Sequence, residues 1–158
     1  MIVSNQYLLL KSLHIFGVII FLGNIIVTAV WKTFADISRD WRIIVFSQRL
    51  VTYTDIIFTA TGVILIAITG IAMAEHYGNY WNVNWIRWGL GLFIASGVIW
   101  MTVLIPIQVI LYRLTNKLKN EINIPAKYWA YEIIWMVFGS IATLLPLMNL
   151  YWMVFKPV

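Results

Sequence analysis

The sequence predicts an all-α membrane protein, a four-transmembrane-helix antiparallel bundle. Hydrophobic residues make up 62% of the 158 residues and charged residues only 11%, whereas a soluble domain carries roughly 25% charged residues. Four apolar stretches cover residues 7–31, 52–74, 88–111 and 129–154. Each stretch exceeds the ~20 residues that a helix needs to cross a ~30 Å hydrocarbon layer. We therefore expect a single four-helix transmembrane domain over residues 1–158.

The first apolar stretch is too long for the apolar core of a signal peptide, and no basic segment precedes it. We expect it to stay in the mature protein as the first transmembrane helix. Small and polar residues recur along it every three or four positions, which is typical of a face that packs between helices in lipid. These positions are Tyr7, Lys11, His14, Gly17, Phe21, Asn24, Thr28 and Trp31.

The first connection, residues 33–51, has its own helical pattern. Asp40 can cap a helix at its N-terminus, and the apolar residues that follow recur at helical spacing. They are Trp41, Ile44, Val45 and Leu50. We expect this helix to continue directly into the second span. The inward face of that span is predicted at Thr52, Asp55, Thr59, Gly62, Ile66, Thr69, Met73 and His76.

The third and fourth spans follow a turn-forming segment at residues 77–84 and flank a short connection at residues 116–127. The inward face of the third span is predicted at Gly89, Leu92, Ser96, Ile99, Val103 and Pro106. That of the fourth is predicted at Tyr128, Glu132, Trp135, Gly139, Ala142, Pro146 and Asn149. A period of about 3.5 residues suits a left-handed antiparallel bundle with short connections.

The distribution of basic residues predicts the orientation. Four crossings put the first and third connections on one membrane face, and eight of the eleven lysines and arginines belong to these connections. They are Lys32, Arg39, Arg42, Arg49, Arg113, Lys117, Lys119 and Lys127. The positive-inside rule makes this face cytoplasmic and puts both termini outside. This distribution accounts for the net charge of +5, so no nucleic-acid partner is expected; the expected partners are the lipid bilayer and a membrane protein or a second copy.

Several chemistries are excluded by the sequence. The chain has no cysteine, so disulfides and thiolate metal sites are excluded. It also lacks a P-loop, a dinucleotide fingerprint and an HExxH motif. With two histidines and no cysteine, the ligand spacing of a structural zinc site cannot be met.

His14 is the main candidate for a functional residue, since ionisable groups inside a membrane are costly and usually functional. A buried imidazole can ligate haem iron or another metal, or relay protons. The alternative is a structural hydrogen bond to Asn149 or to a backbone carbonyl. Lys11, one turn earlier, can bind an acidic ligand group such as a propionate or a lipid phosphate, or can extend to the outer headgroups.

The other ionisable residues are expected to be structural. Asp55 and Glu132 lie near the cytoplasmic ends of their spans, where we expect ion pairs with Arg49 or Arg42. Proton or ion transport is opposed by the lack of further acidic residues that would continue a path across the membrane. A haem ligated by both histidines is opposed by a depth difference of about 10 Å along the helices.

Three runs resemble the bacterial integral membrane protein family named domain of unknown function 2269. They are YLLLKSLHIFGVIIFLGN, RLVTYTDIIFTATGVILIAITGIAMA and ATLLPLMNLYWMVFKPV, and the resemblance spans essentially the whole chain. It implies a four-helix protein of the bacterial inner membrane and adds little about activity.

The spacing of Tyr7, Lys11 and His14 is also similar to the start of the oxygen-independent, membrane-bound protoporphyrinogen oxidase family, which is associated with haem. Further similarities are Arg49 with Leu50, Thr69 with Gly70, and Lys156 with Pro157. This resemblance implies that His14 is an axial ligand of haem b and that Lys11 lies beside the tetrapyrrole carboxylates. The chain departs from that family at residues 28–33 and 85–88, where a further histidine and a His-x-Lys pattern are missing.

Three functional hypotheses follow. The first is a haem- or tetrapyrrole-binding redox protein that exchanges electrons with a quinone or a protein partner, with His14 as the ligand. The second is a non-catalytic accessory subunit of a larger membrane complex. The third is proton or ion transport.

Overall fold

The chain forms four long helical rods. The computed structural model describes residues 4–117 and 124–156, and in this part of the chain six α-helices are joined by two π-helical segments and two short 3₁₀ turns. The α-helices are α1 (Ser4–Ser38), α2 (Trp41–Thr54), α3 (Thr61–Ala74), α4 (Asn84–Ile99), α5 (Ile105–Lys117) and α6 (Ala126–Phe155). The π-helical segments, Asp55–Ala60 and Trp100–Leu104, join α2 to α3 and α4 to α5 without a break. The 3₁₀ turns are Glu75–Tyr77 and Tyr80–Asn82.

All four rods are long and apolar enough to cross a membrane, which confirms the predicted fold class. They cover Asn5–Ser38, Trp41–Tyr77, Asn84–Lys117 and Ala126–Phe155. Each extends beyond its predicted span. We call the end of the bundle that holds the first and third connections the basic end, and the other the terminal end. Residues 118–123 of the third connection lie outside the described residues, as do residues 1–3, 157 and 158.

The first connection is much shorter than predicted, because the helix predicted within it forms and takes up most of its residues. Arg39 adopts a left-handed conformation with a φ of 51° and ends α1. Asp40 then caps α2, since its Oδ1 accepts a hydrogen bond of 2.8 Å from the backbone N–H of Arg42. As predicted, α2 continues into the second span. Residues 39–40 alone therefore join the first two rods.

The first two rods pack as an antiparallel pair, the first hairpin, along the faces predicted for them. The ring of Tyr7 lies 5.3 Å from that of His76, and Asn24 Nδ2 donates to Thr59 Oγ1 at 2.9 Å. Between these contacts Gly62 meets α1 so closely that an added Cβ would stand 2.8 Å from Phe21 Cβ. Small residues at this seam let the two backbones approach, as is usual between helices in lipid.

The last two rods form the second hairpin, also along the predicted faces. Pro146 has no N–H, so the carbonyl of Ala142, one turn earlier in α6, loses its helical partner. Ser96 Oγ of α4 donates to that carbonyl at 2.8 Å. A neighbouring helix thus satisfies the backbone group that the proline frees, as membrane interiors require.

The two hairpins meet mainly at the basic end. The buried apolar core there consists of Trp41, Ile44, Val45, Leu111 and Tyr128. Most large apolar side chains elsewhere are exposed and form the surface that faces lipid, in keeping with a protein whose solvent is the bilayer.

Candidate functional site

His14 lies in the seam of the first hairpin and is held by Thr69. The distance between His14 Nδ1 and Thr69 Oγ1 is 3.0 Å, and Thr69 Oγ1 lies 2.5 Å from the carbonyl oxygen of Leu65. Across the seam, an added Cβ at Gly70 would stand 3.2 Å from His14 Cε1. The structural alternative holds in part. A hydrogen bond to Asn149 is wrong, because that residue packs against Gly89 in the second hairpin, but the imidazole does interact with the backbone of Ile66.

Lys11 and His76, the other basic groups toward the terminal end, lie apart from this hydrogen bond. Lys11 is exposed on α1, one turn before His14. His76 is also exposed and lies against Tyr7 and Tyr77, with ring centroids 5.3 and 6.0 Å away. Since Tyr7 and His14 are seven residues apart, the two histidines are offset by about 10 Å along the helices. This agrees with the predicted difference in depth.

Asp55 does not form the ion pair that we predicted. Its Oδ2 accepts a hydrogen bond of 3.1 Å from Trp100 Nε1 of the second hairpin, and its carboxylate also interacts with Thr59 and Gln108. Arg49 instead donates to Asn116 Oδ1, from Nε at 3.1 Å and from Nη2 at 2.6 Å. The prediction failed because the Arg49 side chain turns away from the second rod, which carries Asp55, and toward Asn116 of the third rod.

Glu132 pairs with Lys32, so its predicted arginine partners were also wrong. Lys32 is fully buried, with 0% of its side chain exposed, and its Nζ lies 2.8 Å from Glu132 Oε2 and 3.2 Å from Asp36 Oδ2. Lys32 Nζ also donates to the hydroxyl of Tyr128 at 2.7 Å, and Tyr128 Oη donates to Asp36 Oδ1 at 2.6 Å. We call Lys32, Asp36, Tyr128 and Glu132 the lysine cluster. It ties α1 to α6 at the basic end.

Sequence reasoning missed the lysine cluster, although a signal was present. Lys32 directly follows the first apolar stretch and counts among the basic residues of the first connection, where a solvated lysine is the usual case. However, Lys32 and Asp36 are four residues apart, as are Tyr128 and Glu132, so each pair shares one helix face. Both pairs also adjoin the same predicted membrane boundary.

A cavity of about 430 Å³ lies between the hairpins, and all four rods contribute to its wall. The two π-helical segments flank it, with Asp55 and Trp100 at their first positions. Most of the wall is apolar. Two buried polar atoms of lining residues, Gln108 Oε1 and Trp135 Nε1, have no hydrogen-bond partner among the described residues. π-Helical turns are frequent at functional sites, and buried polar atoms are normally paired.

A multi-ligand metal site is not formed by the part of the chain that the structure describes. There, no group of three or more His, Cys, Asp or Glu side chains lies close enough together to hold a metal ion. Among the described residues, a metal bound at His14 would therefore have at most two protein ligands of these kinds.

The four apolar rods define an integral membrane protein of the four-helix class. The chain belongs to the family described as "Predicted integral membrane protein (DUF2269)", whose sequence profile matches residues 8–157. This confirms the first of the two resemblances, while the likeness to protoporphyrinogen oxidases stays a prediction. No curated protein and no solved structure matches the chain.

Proposed function

We propose that this integral membrane protein binds haem b or a related tetrapyrrole through His14 and takes part in electron transfer. The observation that carries the proposal is the hydrogen bond between His14 and Thr69, which selects the ring nitrogen that is free to bind a metal. The bilayer around the first hairpin supplies the apolar surroundings that such a group needs.

The tautomer of His14 follows from the partners of Thr69. The Thr69 hydroxyl has one hydrogen, and the carbonyl of Leu65 at 2.5 Å can only accept it. Thr69 Oγ1 must then accept from His14 Nδ1–H at 3.0 Å. A neutral imidazole with its hydrogen on Nδ1 carries its lone pair on Nε2. Histidines that ligate metals commonly donate their other N–H in this way, which orients the ring and raises its basicity.

Two neighbours of His14, Gly70 and Lys11, favour haem binding at this histidine. Gly70 leaves room for the imidazole ring, because a side chain there would press on His14 Cε1. Lys11 is exposed on the preceding turn of α1, where its ammonium group can pair with a propionate. When bound, haem would supply one-electron chemistry, whose potential the axial ligand and its hydrogen bonds adjust. His76 is too far along the helix axis to serve as the second ligand, so the proposal has one histidine ligand.

The test is a reduced-minus-oxidised absorption spectrum of the protein, expressed with haem supply and purified. We expect a Soret band in the wild type that is lost in His14→Ala, while His76→Ala serves as the matched control and keeps the band. Thr69→Val should keep the ligand but weaken haem binding by about 10- to 100-fold, the usual effect of losing a partner of a metal-bound histidine.

Two results would contradict the proposal: a wild-type protein that stays colourless with added haem, or a Soret band that His14→Ala retains at full occupancy. A colourless protein would favour the accessory-subunit hypothesis. Co-purification of the tagged chain from its native membrane would then identify the complex on which it docks.

A further inference from the structure

We infer that the cavity between the hairpins binds a lipophilic amine, which enters from the bilayer and places its ammonium group against Asp55 and Gln108. This site is separate from His14 and does not depend on haem. None of its chemistry was assigned from the sequence, where Asp55 was expected to be an ion-pair partner at a helix end.

Asp55 is the first reason for an amine. Among the residues that the structure describes, both ion pairs involve Lys32, so the Asp55 carboxylate has no cationic partner. It accepts a hydrogen bond from Trp100 Nε1 and interacts with the side chains of Thr59 and Gln108, all of which are neutral. A carboxylate has about four lone-pair sites, so it can still accept from a cation. A carboxylate in a membrane interior is costly unless it is paired. A cationic ligand would supply the missing partner.

Gln108, which interacts with the Asp55 carboxylate, gives a second indication through an unpaired acceptor of its own. Its side chain is buried, with 6% of the residue exposed, and its Oε1 has no hydrogen-bond partner among the described residues although the residue lines the cavity. A buried acceptor left unpaired costs about 1–3 kcal/mol. An ammonium group has three donors, so one ligand can serve both Gln108 Oε1 and the Asp55 carboxylate. A lipid acyl chain has no hydrogen-bond donor and could not serve either group.

The remaining wall suits the apolar part of such a ligand. Trp100 and Trp135 are among the lining residues, and indole side chains attract organic cations. The volume of about 430 Å³ falls in the range of ordinary small-molecule sites, ~300–1,000 Å³.

The route of entry is indicated by which lining residues are exposed. Three lining residues are about half exposed, namely Ile26 and Val30 on α1 and Leu144 on α6. The cavity therefore reaches the lipid-facing surface between α1 and α6, while Asp55 lies on the second rod. A ligand that partitions into the bilayer can reach it sideways.

The first test measures equilibrium binding of radiolabelled 4-phenylbutylamine to the full chain in nanodiscs of zwitterionic lipid, with neutral 4-phenylbutanol as competitor. We expect saturable binding of the amine and at least tenfold weaker competition by the alcohol. Asp55→Asn should weaken amine binding at least tenfold and remove the preference for amine over alcohol. This variant keeps an acceptor for Trp100, so it should fold. Glu75→Gln, at an exposed carboxylate of the terminal end, is the matched control and should bind as the wild type does.

The second test locates the site. Gly139 lines the cavity, and an added Cβ there meets no atom within 4 Å. Gly139→Leu should therefore fill the cavity and abolish binding of amine and alcohol alike. Gly91→Leu is the control, since Gly91 also has open space around it but faces outward.

Three outcomes would overturn the inference. They are no saturable amine binding to the wild type, equal affinity for the amine and the alcohol, and full amine affinity in either Asp55→Asn or Gly139→Leu. None of them bears on the Soret band of the wild type, so failure here is distinguishable from failure of the haem proposal.

Discussion

Replacing Lys32 by Met should destabilise the protein more than any other single change of a basic side chain at the basic end. Lys32 is fully buried and lies 2.8 Å from Glu132 and 3.2 Å from Asp36. Methionine fills much of the same volume but leaves two neighbouring carboxylates without a cation. Removing one partner of a buried ion pair costs about 3–5 kcal/mol, which is a large part of the ~5–15 kcal/mol that stabilises a typical protein.

The structure also predicts a partial rescue. In Lys32→Met/Glu132→Leu the more buried carboxylate is gone, while Asp36 keeps its 2.6 Å hydrogen bond from Tyr128 Oη. Replacing both partners of a buried pair by apolar groups is often nearly neutral. We therefore expect the double variant to lie within about 1–2 kcal/mol of the wild type, so that Glu132→Leu restores at least ~1 kcal/mol of the stability lost in Lys32→Met.

The assay is reversible unfolding in mixed micelles, followed by circular dichroism while the denaturing detergent is increased. Lys127→Met is the matched control, because Lys127 is an exposed lysine of the same α6 turn as the lysine cluster, and its loss should cost less than ~1 kcal/mol. The reasoning is refuted if Lys32→Met unfolds with the control, or if the double variant is less stable than Lys32→Met.

Two further predictions concern the seams within the hairpins. Gly62→Ala should destabilise the first hairpin by about 1–3 kcal/mol, because the new Cβ would stand 2.8 Å from Phe21 Cβ and the two backbones would have to separate. Gly23→Ala is the control and should be neutral in the same unfolding assay, since a Cβ at Gly23 meets no atom within 4 Å. Equal losses of stability in the two variants would contradict the close approach at Gly62. Ser96→Ala should lower the free energy of unfolding by about 1 kcal/mol in the wild type. It should have no effect in Pro146→Ala, because residue 146 then has an N–H that can bond the Ala142 carbonyl. An equal loss in both backgrounds would show that Ser96 does not satisfy that carbonyl.

The architecture could be predicted because it depends on local patterns. Runs of more than ~20 apolar residues are helices in a membrane whatever surrounds them, since only a helix satisfies its own backbone there. The stripes of small and polar residues were also readable, and most of their members lie between the helices as predicted, whereas Lys11, His76 and Pro106 are exposed. The contacts of Tyr7 with His76 and of Ser96 with Ala142 confirm the faces in the first and second hairpins.

The partners of the buried charges could not be predicted in the same way. A shift of one helical turn, about 5.4 Å, or a modest rotation of one hairpin against the other changes which basic side chain Glu132 meets. Arg42 and Arg49 were nearer in the expected layers, yet Lys32 is the partner because α1 extends past the predicted membrane boundary before it turns.

The sequence by itself determined that this chain is a four-helix membrane protein and which faces of its helices turn inward. It also determined that Asp40 caps a helix that continues into the second span. Only the tertiary structure decided that Lys32 is buried in an ionic cluster, that Asp55 meets Trp100 at the wall of a cavity, and that His14 pairs with Thr69. The reason is physical: helix formation and face selection follow from residues within a few turns of one another, whereas ion pairs, cavities and tautomers depend on the relative placement of rods that are distant in the chain.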